Sequence, residues 1–398
     1  MKNILICTHY NKIQGLTDIF LNYCLSNEEL ETIVLLRNPL SKNDKLKSQI
    51  IVYKKSKKID EINFFSLSYF QFFTIWILNL YYLKKVKTKY RINHFNYCFA
   101  FDPLQYFYLF FYRFFIKISK KIFYSSDYAD KRFNNRFNNF LYKFIDRLSL
   151  RDCDLYVAPS EVILQIREKQ RKNKEQLYLV PHSFDSQNVI VRKIKERIPF
   201  SMVFIGNIKS PSVDLKYIFD GIADLKKIKY PEIKLYIFGD GNLVPEYKSY
   251  VAKLDIANNV LFLGIRPHDE LFRDLGRYWI GLCPYTVGLE IQGWHTTYCS
   301  LFTTKMIEYI ANGTPFLTTA LHDNVNLFEK WKVGRVMAPA KDSFMQNIDF
   351  FFSDRVKLDE YSNSCYEKSK DYSSEIVYGK LFEKLKEQYN HQNDKTKN

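Results

Sequence analysis

The segment TTKMIEYIANGTP, Thr303 to Pro315, carries a cation and a carboxylate one helical turn apart and closes on Gly-Thr-Pro. If a helix begins near Thr303 or Thr304, a threonine can cap it, and Lys305 and Glu308 then share one face. Such a pair serves either of two ends. It is a surface ion pair, or it grips a nucleoside diphosphate. An ionised carboxylate only accepts hydrogen bonds, so Glu308 suits both hydroxyls of a ribose, while Lys305 neutralises phosphate. Gly313 would form the left-handed cap, and Pro315 would open the next segment. Two other stretches bear on the choice. FIGNIKSPSVDL (Phe204–Leu215) is a strand ending in Gly206, followed by Asn207, Lys209 and a helix start near Asp214. A glycine at a strand end lets backbone approach an anion, and the next helix N-terminus attracts it. Lys209 adds a point charge there or is simply solvated. LYIFGDGN (Leu235–Asn242) ends in Gly239 and Asp240, either a tight turn or a wall beside a nucleotide.

Positioning these groups requires a sheet whose strand ends open on one side. Short apolar runs predict strands at 4–8, 32–36, 50–53, 97–101, 122–124, 155–158, 177–180, 202–205, 234–238, 260–263, 281–284 and 316–318. Helical stretches separate most of them. Apolar strands alternating with helices imply an α/β fold with parallel sheets covered on both faces. The alternation lapses near Asp185–Phe200, so two doubly wound domains are expected, 1–190 and 191–373. A C-terminal helix, 374–389, is expected to return to the first domain, with a polar tail ending at 398. The loops bearing Gly206, Gly239 and Lys305 follow successive strands, so all would open at the carboxyl edge, where ligands bind in such folds.

At 398 residues the chain is long enough for two cores. A net charge of +16 favours anionic partners: nucleic acid, an acidic membrane surface or a phosphorylated substrate. The seven cysteines are scattered with no CxxC pair, which argues for a reduced compartment and against structural zinc. The start, MKNILICTHY, has an apolar run too short for a signal peptide and reads as a buried strand ending before His9. Ile62–Leu83 carries no formal charge, and five basic residues follow in Lys84–Arg91. A buried helix, an interfacial helix and a membrane span all fit its length; a span would put strands of one sheet on opposite sides of a membrane. A second aromatic run, Leu104–Lys121, interleaves rings with Arg113, Lys117, Lys120 and Lys121, which suits either a headgroup interface or a core helix with a basic edge.

The stretches FIGNI, IKLYIFGDG, NNVLFLGIRPHDEL, YWIGLCPY, KMIEYIANGTPFLTT and VGRV, spread over Ser201–Met337, resemble the family-four type of retaining glycosyltransferases. Phe123–Ser160 is similar to the acceptor side of one subgroup, and LVPHSFD (Leu179–Asp185) sits where the family often has Pro-Asn-Gly and an acidic residue. The resemblance implies the GT-B architecture, two Rossmann-like domains facing across a cleft. It implies transfer of a sugar from a nucleotide-diphosphate sugar, with retention, to a lipid-linked or growing polysaccharide acceptor. Glu308 matches the residue holding the donor ribose, Lys305 a basic residue one turn earlier, and Asp127 an acidic position at the cleft. Gly206, Asn207, Lys209, Gly239, Asp240, Tyr285, Ser300 and Thr304 fall on the donor side, and His9 and Gly15 on the acceptor side. Two departures stand out: Ser300 replaces a common second glutamate, and Asn207 replaces an arginine after Gly206.

No metal or other cofactor is expected, because cations and helix N-termini can offset charge on the leaving diphosphate. Asp127 orients the acceptor hydroxyl or touches the sugar. The expected location is cytoplasmic, at the inner face of the cell membrane, in peripheral contact with anionic lipid. Three other readings remain open: a nucleotide-sugar epimerase of the same shape, an inactive membrane-docking homologue, and a nucleic-acid binder. Against the last, no nucleic-acid motif is present and the aromatics lie in apolar runs.

Overall fold

A computed structural model describes residues 2–9, 15–39, 48–64, 71–170, 173–209, 213–291, 294–295 and 298–395. The chain divides into a first unit, Met1–Val180 together with Trp294, and a second made of Pro181–Ile291 and His295–Asn398.

The first unit is built on an eight-stranded sheet. In chain order it comprises β1 (Lys2–Thr8), α1 (Leu16–Ser26), β2 (Leu30–Arg37), β3 (Ser48–Lys54), β4 (Lys57–Phe64), α2 (Gln71–Tyr90), β5 (His94–Phe101), α3 (Pro103–Tyr112), β6 (Lys117–Tyr124), α4 (Arg136–Asp152), β7 (Leu155–Ala158), α5 (Glu161–Gln170) and β8 (Leu177–Leu179). The strand order is β4-β3-β2-β1-β5-β6-β7-β8. From β2 to β8 all neighbours are parallel, but β3 and β4 run antiparallel. The all-parallel expectation therefore fails at this edge. Lys55 and Ser56, at φ 45° and 66°, make the tight turn that a hairpin requires.

That hairpin also corrects the reading of the charge-free stretch. Ile62 pairs with Ile50 in β4, and Phe64 is buried. The stretch thus begins in a strand and ends in α2, with 65–70 outside the described residues. Among the described residues no helix is long and apolar enough to cross a membrane. The basic run at the end of α2 is partly engaged within the unit: Lys89 pairs with Asp60, Lys87 donates to the Phe115 carbonyl and Lys85 lies over the Tyr81 ring. The second aromatic run is likewise no single helix. It splits into α3, whose Tyr106, Tyr108, Leu109 and Tyr112 are buried, and β6.

The second unit holds a six-stranded, wholly parallel sheet of order β11-β10-β9-β12-β15-β16. Its elements are β9 (Ser201–Ile205), α6 (Lys216–Ile228), β10 (Lys234–Phe238), α7 (Val244–Lys253), β11 (Val260–Gly264), α8 (His268–Asp274), β12 (Ile280–Cys283), α9 (Thr304–Ala311), β15 (Phe316–Thr318), α10 (Asn326–Lys330), β16 (Gly334–Val336), α11 (Lys341–Phe352), α12 (Arg355–Ser369) and α13 (Ser374–Lys395). A two-residue pair, β13 (Glu290–Ile291) and β14 (Trp294–His295), lies outside both sheets. Alternate strand residues feed two cores. Met202, Phe204, Ile280 and Leu282 pack with residues of α6, α7 and α11, while Val203, Ile205 and Cys283 pack with α8, α9 and α10. This two-faced burial is what makes the strands read as continuous apolar runs. The start of the unit is fixed by Phe184, which bridges Ser373 and accepts from the Ser374 amide. Pro181–Asp185 and α13 accordingly belong to the second unit.

Candidate active site

Strand order reverses between β9 and β12 in the second sheet: β10 lies on one side of β9 and β12 on the other. The carboxyl ends at such a switch point form a crevice. Gly206 follows β9 and Gly239 follows β10, both with positive φ, +136° and +141°. A Cβ on Gly239 would collide with the Gly206 carbonyl oxygen, and one on Gly206 would collide with Lys305 Nζ. At Gly239 the obstacle is backbone and only hydrogen fits; at Gly206 it is the movable end of the lysine. The Gly206 amide donates to the Phe238 carbonyl at 2.9 Å, tying the two strand ends together.

Helix α9 points its N-terminus at this crowded edge. Thr303 occupies the cap position, yet its hydroxyl makes no capping bond and instead meets the Tyr285 hydroxyl at 2.9 Å. The expected threonine cap is therefore absent because Tyr285 takes that hydroxyl. The amide groups of Thr304, Lys305 and Met306 lack intrahelical partners, as the first turn of any helix does. The C-terminal end is held firmly. Gly313 sits at φ +67°, and the buried Arg197 donates to its carbonyl at 2.9 Å.

Lys305 and Glu308 do not pair with each other, so the surface ion-pair reading falls. The half-buried Lys305 ammonium lies 5.1 Å from the Phe204 ring centre and 5.3 Å from that of Tyr285. It makes no hydrogen bond or salt bridge with any described residue. Burial lowers its pKa, and the nearby Cys283, Glu308 and Cys299 only partly oppose this. Glu308, 9% exposed, accepts from His268 Nε2 at 2.8 Å. Burial alone would lower the His268 pKa, but the Glu308 carboxylate, with Asp269, raises it above 6.5.

The remaining donor-side residues are less concentrated. Asn207 and Lys209 are exposed, with 210–212 outside the described residues. Asp240 is exposed and accepts from the Gly241 amide at 2.8 Å, a bond that stabilises its own turn. Ser300 is buried, and Thr304 is exposed at the first position of α9. His268 is absent from the sequence-based residue set. Its signal is an Arg-Pro-His ahead of a helix at the end of β11, within the very stretch that carries the family resemblance.

The first sheet has its own switch point, between β1 and β5. His9 follows β1, and its Nδ1 is hydrogen-bonded to Asp102, which follows β5. Asp102 sits at φ +135°, where glycine is favoured, and accepts from the Gln105 amide at 2.9 Å as the cap of α3. Burial would lower the His9 pKa, but Asp102 and then Asp127 raise it against the opposing charge of Arg132. Asp127 follows β6 and accepts from Arg132 Nη2 at 2.6 Å. Gly15 caps α1, and no described residue stands within 4 Å of where its Cβ would be. His9 and Asp127 thus share one electrostatic neighbourhood, with Asp102 as the partner that the sequence did not reveal. Among the described residues no group of three or more His, Cys, Asp and Glu side chains is placed to hold a metal ion.

These features define a class: an α/β protein of two sheet-based units, the second with a glycine-lined, cationic helix N-terminus at its switch point. Residues 192–371 match the family of glycosyl transferases group 1. That match spans the whole second sheet and the candidate site around Lys305 and Glu308. Solved structures of the GT-B type share its fold over nearly its whole length. Anabaena Alr3699/HepE in complex with UDP-glucose has a TM-score of 0.67 at 13% identity, covering 97% of this chain and 100% of that one. The sucrose-phosphate synthase of Thermosynechococcus elongatus gives 0.66 at 12%, covering 97% and 99%. The lipopolysaccharide outer core galactosyltransferase WaaB, in its apo form, gives 0.62 at 17%, covering 98% and 100%. No curated protein sequence matches the chain.

Proposed function

We propose that the protein transfers a sugar from a nucleoside-diphosphate sugar to a lipid-linked or growing polysaccharide acceptor, with retention of the anomeric configuration. The observation that carries this reading is the Lys305 ammonium at the α9 N-terminus, directly over Gly206 and without a hydrogen bond or salt bridge to any described residue, with Glu308 buried one turn further on. A diphosphate seated there meets a cation and the free amides of Thr304–Met306. Glu308, oriented by His268, accepts from ribose hydroxyls. As the anomeric C–O bond breaks, negative charge grows on the diphosphate where these donors already point. The acceptor hydroxyl forms the new C–O bond on the face the diphosphate leaves, and its proton passes to the leaving phosphate oxygen. Asp127 and the His9–Asp102 pair orient the acceptor, and no metal takes part. UDP-glucose bound to the Anabaena neighbour makes uridine the first base to try.

The enzyme works at the cytoplasmic face of a membrane in this reading. The net charge of +16 supports it. The test is a thermal-shift screen against UDP-, GDP-, ADP- and CMP-sugars, followed by turnover of the stabilising donor with and without a lipid extract. Turnover that rises with the extract supports a transferase. Rearrangement of the donor without acceptor would indicate an epimerase, and no stabilisation by any donor would defeat the reading.

A further inference from the structure

Helix α4 wears its apolar residues on the wrong side for a core helix. An amphipathic helix of a soluble domain turns that stripe inward. Here the residues α4 buries include Asn139, Asp146 and Ser149 beside Ile145 and Leu150. Phe137, Phe140 and Phe144 are 69%, 68% and 56% exposed, and Leu141 is 44% exposed. Their spacing of three and four places them on one face. Phe133, just before the helix, is exposed as well. An outward aromatic stripe of this kind marks a surface that something covers.

The charges around it select the occupant. Arg136, Lys143, Arg147 and Arg151 on α4, and Lys131 ahead of it, are all exposed. The acidic residues of α4 are spent inside the unit. Asp146 is held by the buried Arg167 at 2.5 and 2.7 Å, and Asp152 by Arg113 and Lys121, each at 2.9 Å. The free charge on this helix is thus all positive, interleaved with phenylalanines. That pairing fits the headgroup and acyl boundary of an anionic bilayer, where rings sink and cations stay with phosphate.

We infer that α4 docks the protein on anionic lipid, through Phe137, Phe140, Leu141 and Phe144 with the flanking arginines and Lys143. Continuity with the acceptor side adds to this. The helix starts at the carboxyl edge of the first sheet, where the Asn135 side chain caps it, and Asp127 lies in the loop just before. A lipid-linked acceptor in the docked bilayer would enter beside Asp127. The inference rests on the proposed membrane location but assigns it to α4 rather than to the basic run ending α2.

The full chain is floated with vesicles of phosphatidylglycerol and phosphatidylcholine, and with phosphatidylcholine alone. Phe137→Ser, Phe140→Ser and Phe144→Ser are combined in one variant, and Lys84→Gln with Lys85→Gln in another. All five side chains are exposed, and an unchanged melting temperature and UDP-glucose shift verify the fold. Native protein should float with the anionic vesicles only. The triple variant should lose about tenfold or more in partition, and the α2 variant should retain it. Flotation of the triple variant at the native level overturns the α4 assignment and leaves the membrane reading standing. Native protein that floats with neither vesicle defeats both. A native dimer that the triple variant splits would assign the stripe to a second copy and overturn the inference.

Discussion

His268 Nε2 lies 2.8 Å from Glu308 Oε1, joining the first residue of α8 to α9 across the end of the second sheet. The bond orients the carboxylate before any ligand arrives, and Glu308 in turn raises the His268 pKa against the effect of burial.

Glu308→Gln keeps the shape of this side chain and removes its charge. If the carboxylate holds a ribose, UDP affinity should fall about tenfold to a hundredfold, since hydrogen bonds to charged groups are the stronger ones. Titration calorimetry with UDP measures this. An affinity equal to the native one would show that the carboxylate serves only His268.

The pH dependence follows from the same pair. A histidine whose folded pKa is raised stabilises the fold fully below its unfolded value, near 6.5, and loses that contribution as pH climbs through the folded value. The melting temperature of the native protein minus that of His268→Gln should therefore be largest near about pH 6. It should shrink steadily above that. A difference that grows with pH would contradict the raised pKa.

Lys305→Met removes a half-buried ammonium that makes no hydrogen bond or salt bridge with any described residue. Because burial already lowers its pKa, the charge opposes folding, and the variant should melt at the native temperature or above it. UDP affinity should drop by about tenfold or more. A variant that is less stable and binds UDP normally would make Lys305 a structural residue.

At Gly239 the obstacle is backbone, the Gly206 carbonyl, which cannot swing away as a lysine tip can. Gly239→Ala should cost about 3 kcal/mol or more in denaturant unfolding, from collision and the positive φ together. Gly206→Ala meets only the end of Lys305 and should cost less.

Arg167 is 2% exposed and makes two bonds to Asp146, with a third to the Tyr156 hydroxyl at 3.0 Å. Arg167→Met strands a buried carboxylate, and a loss of about 3–5 kcal/mol is expected. Pairing it with Asp146→Leu should restore part of that, because the orphaned charge goes too.

Much of both sheets could be read directly from the chain. Leu155–Ala158, Lys234–Phe238 and Phe316–Thr318 match their strands residue for residue, since strands buried on both faces are uninterrupted apolar runs. The hairpin of β3 and β4 escaped because its turn, Lys55-Ser56, lacks the asparagine or glycine that usually takes positive φ. Its second strand, KKIDEINF, also looks like linker. At the site, Gly206, Gly239, Gly313, Lys305 and Glu308 declare themselves locally, through strand ends and helix spacing. His268 and Asp102 do not, because what gives each its meaning is a partner 40 and 93 residues away.

The outer strand of the first sheet has a bearing on how the protein behaves in a crowded cell. β4 carries Lys57, Lys58, Asp60 and Glu61, with Lys58 paired to Glu61 and Lys89 reaching Asp60 from α2. Free backbone groups along a border strand are an invitation to another polypeptide, and charged side chains of both signs turn it away. This border is guarded against intermolecular strand addition, so the protein should stay dispersed at concentrations where a bare apolar strand would seed fibres.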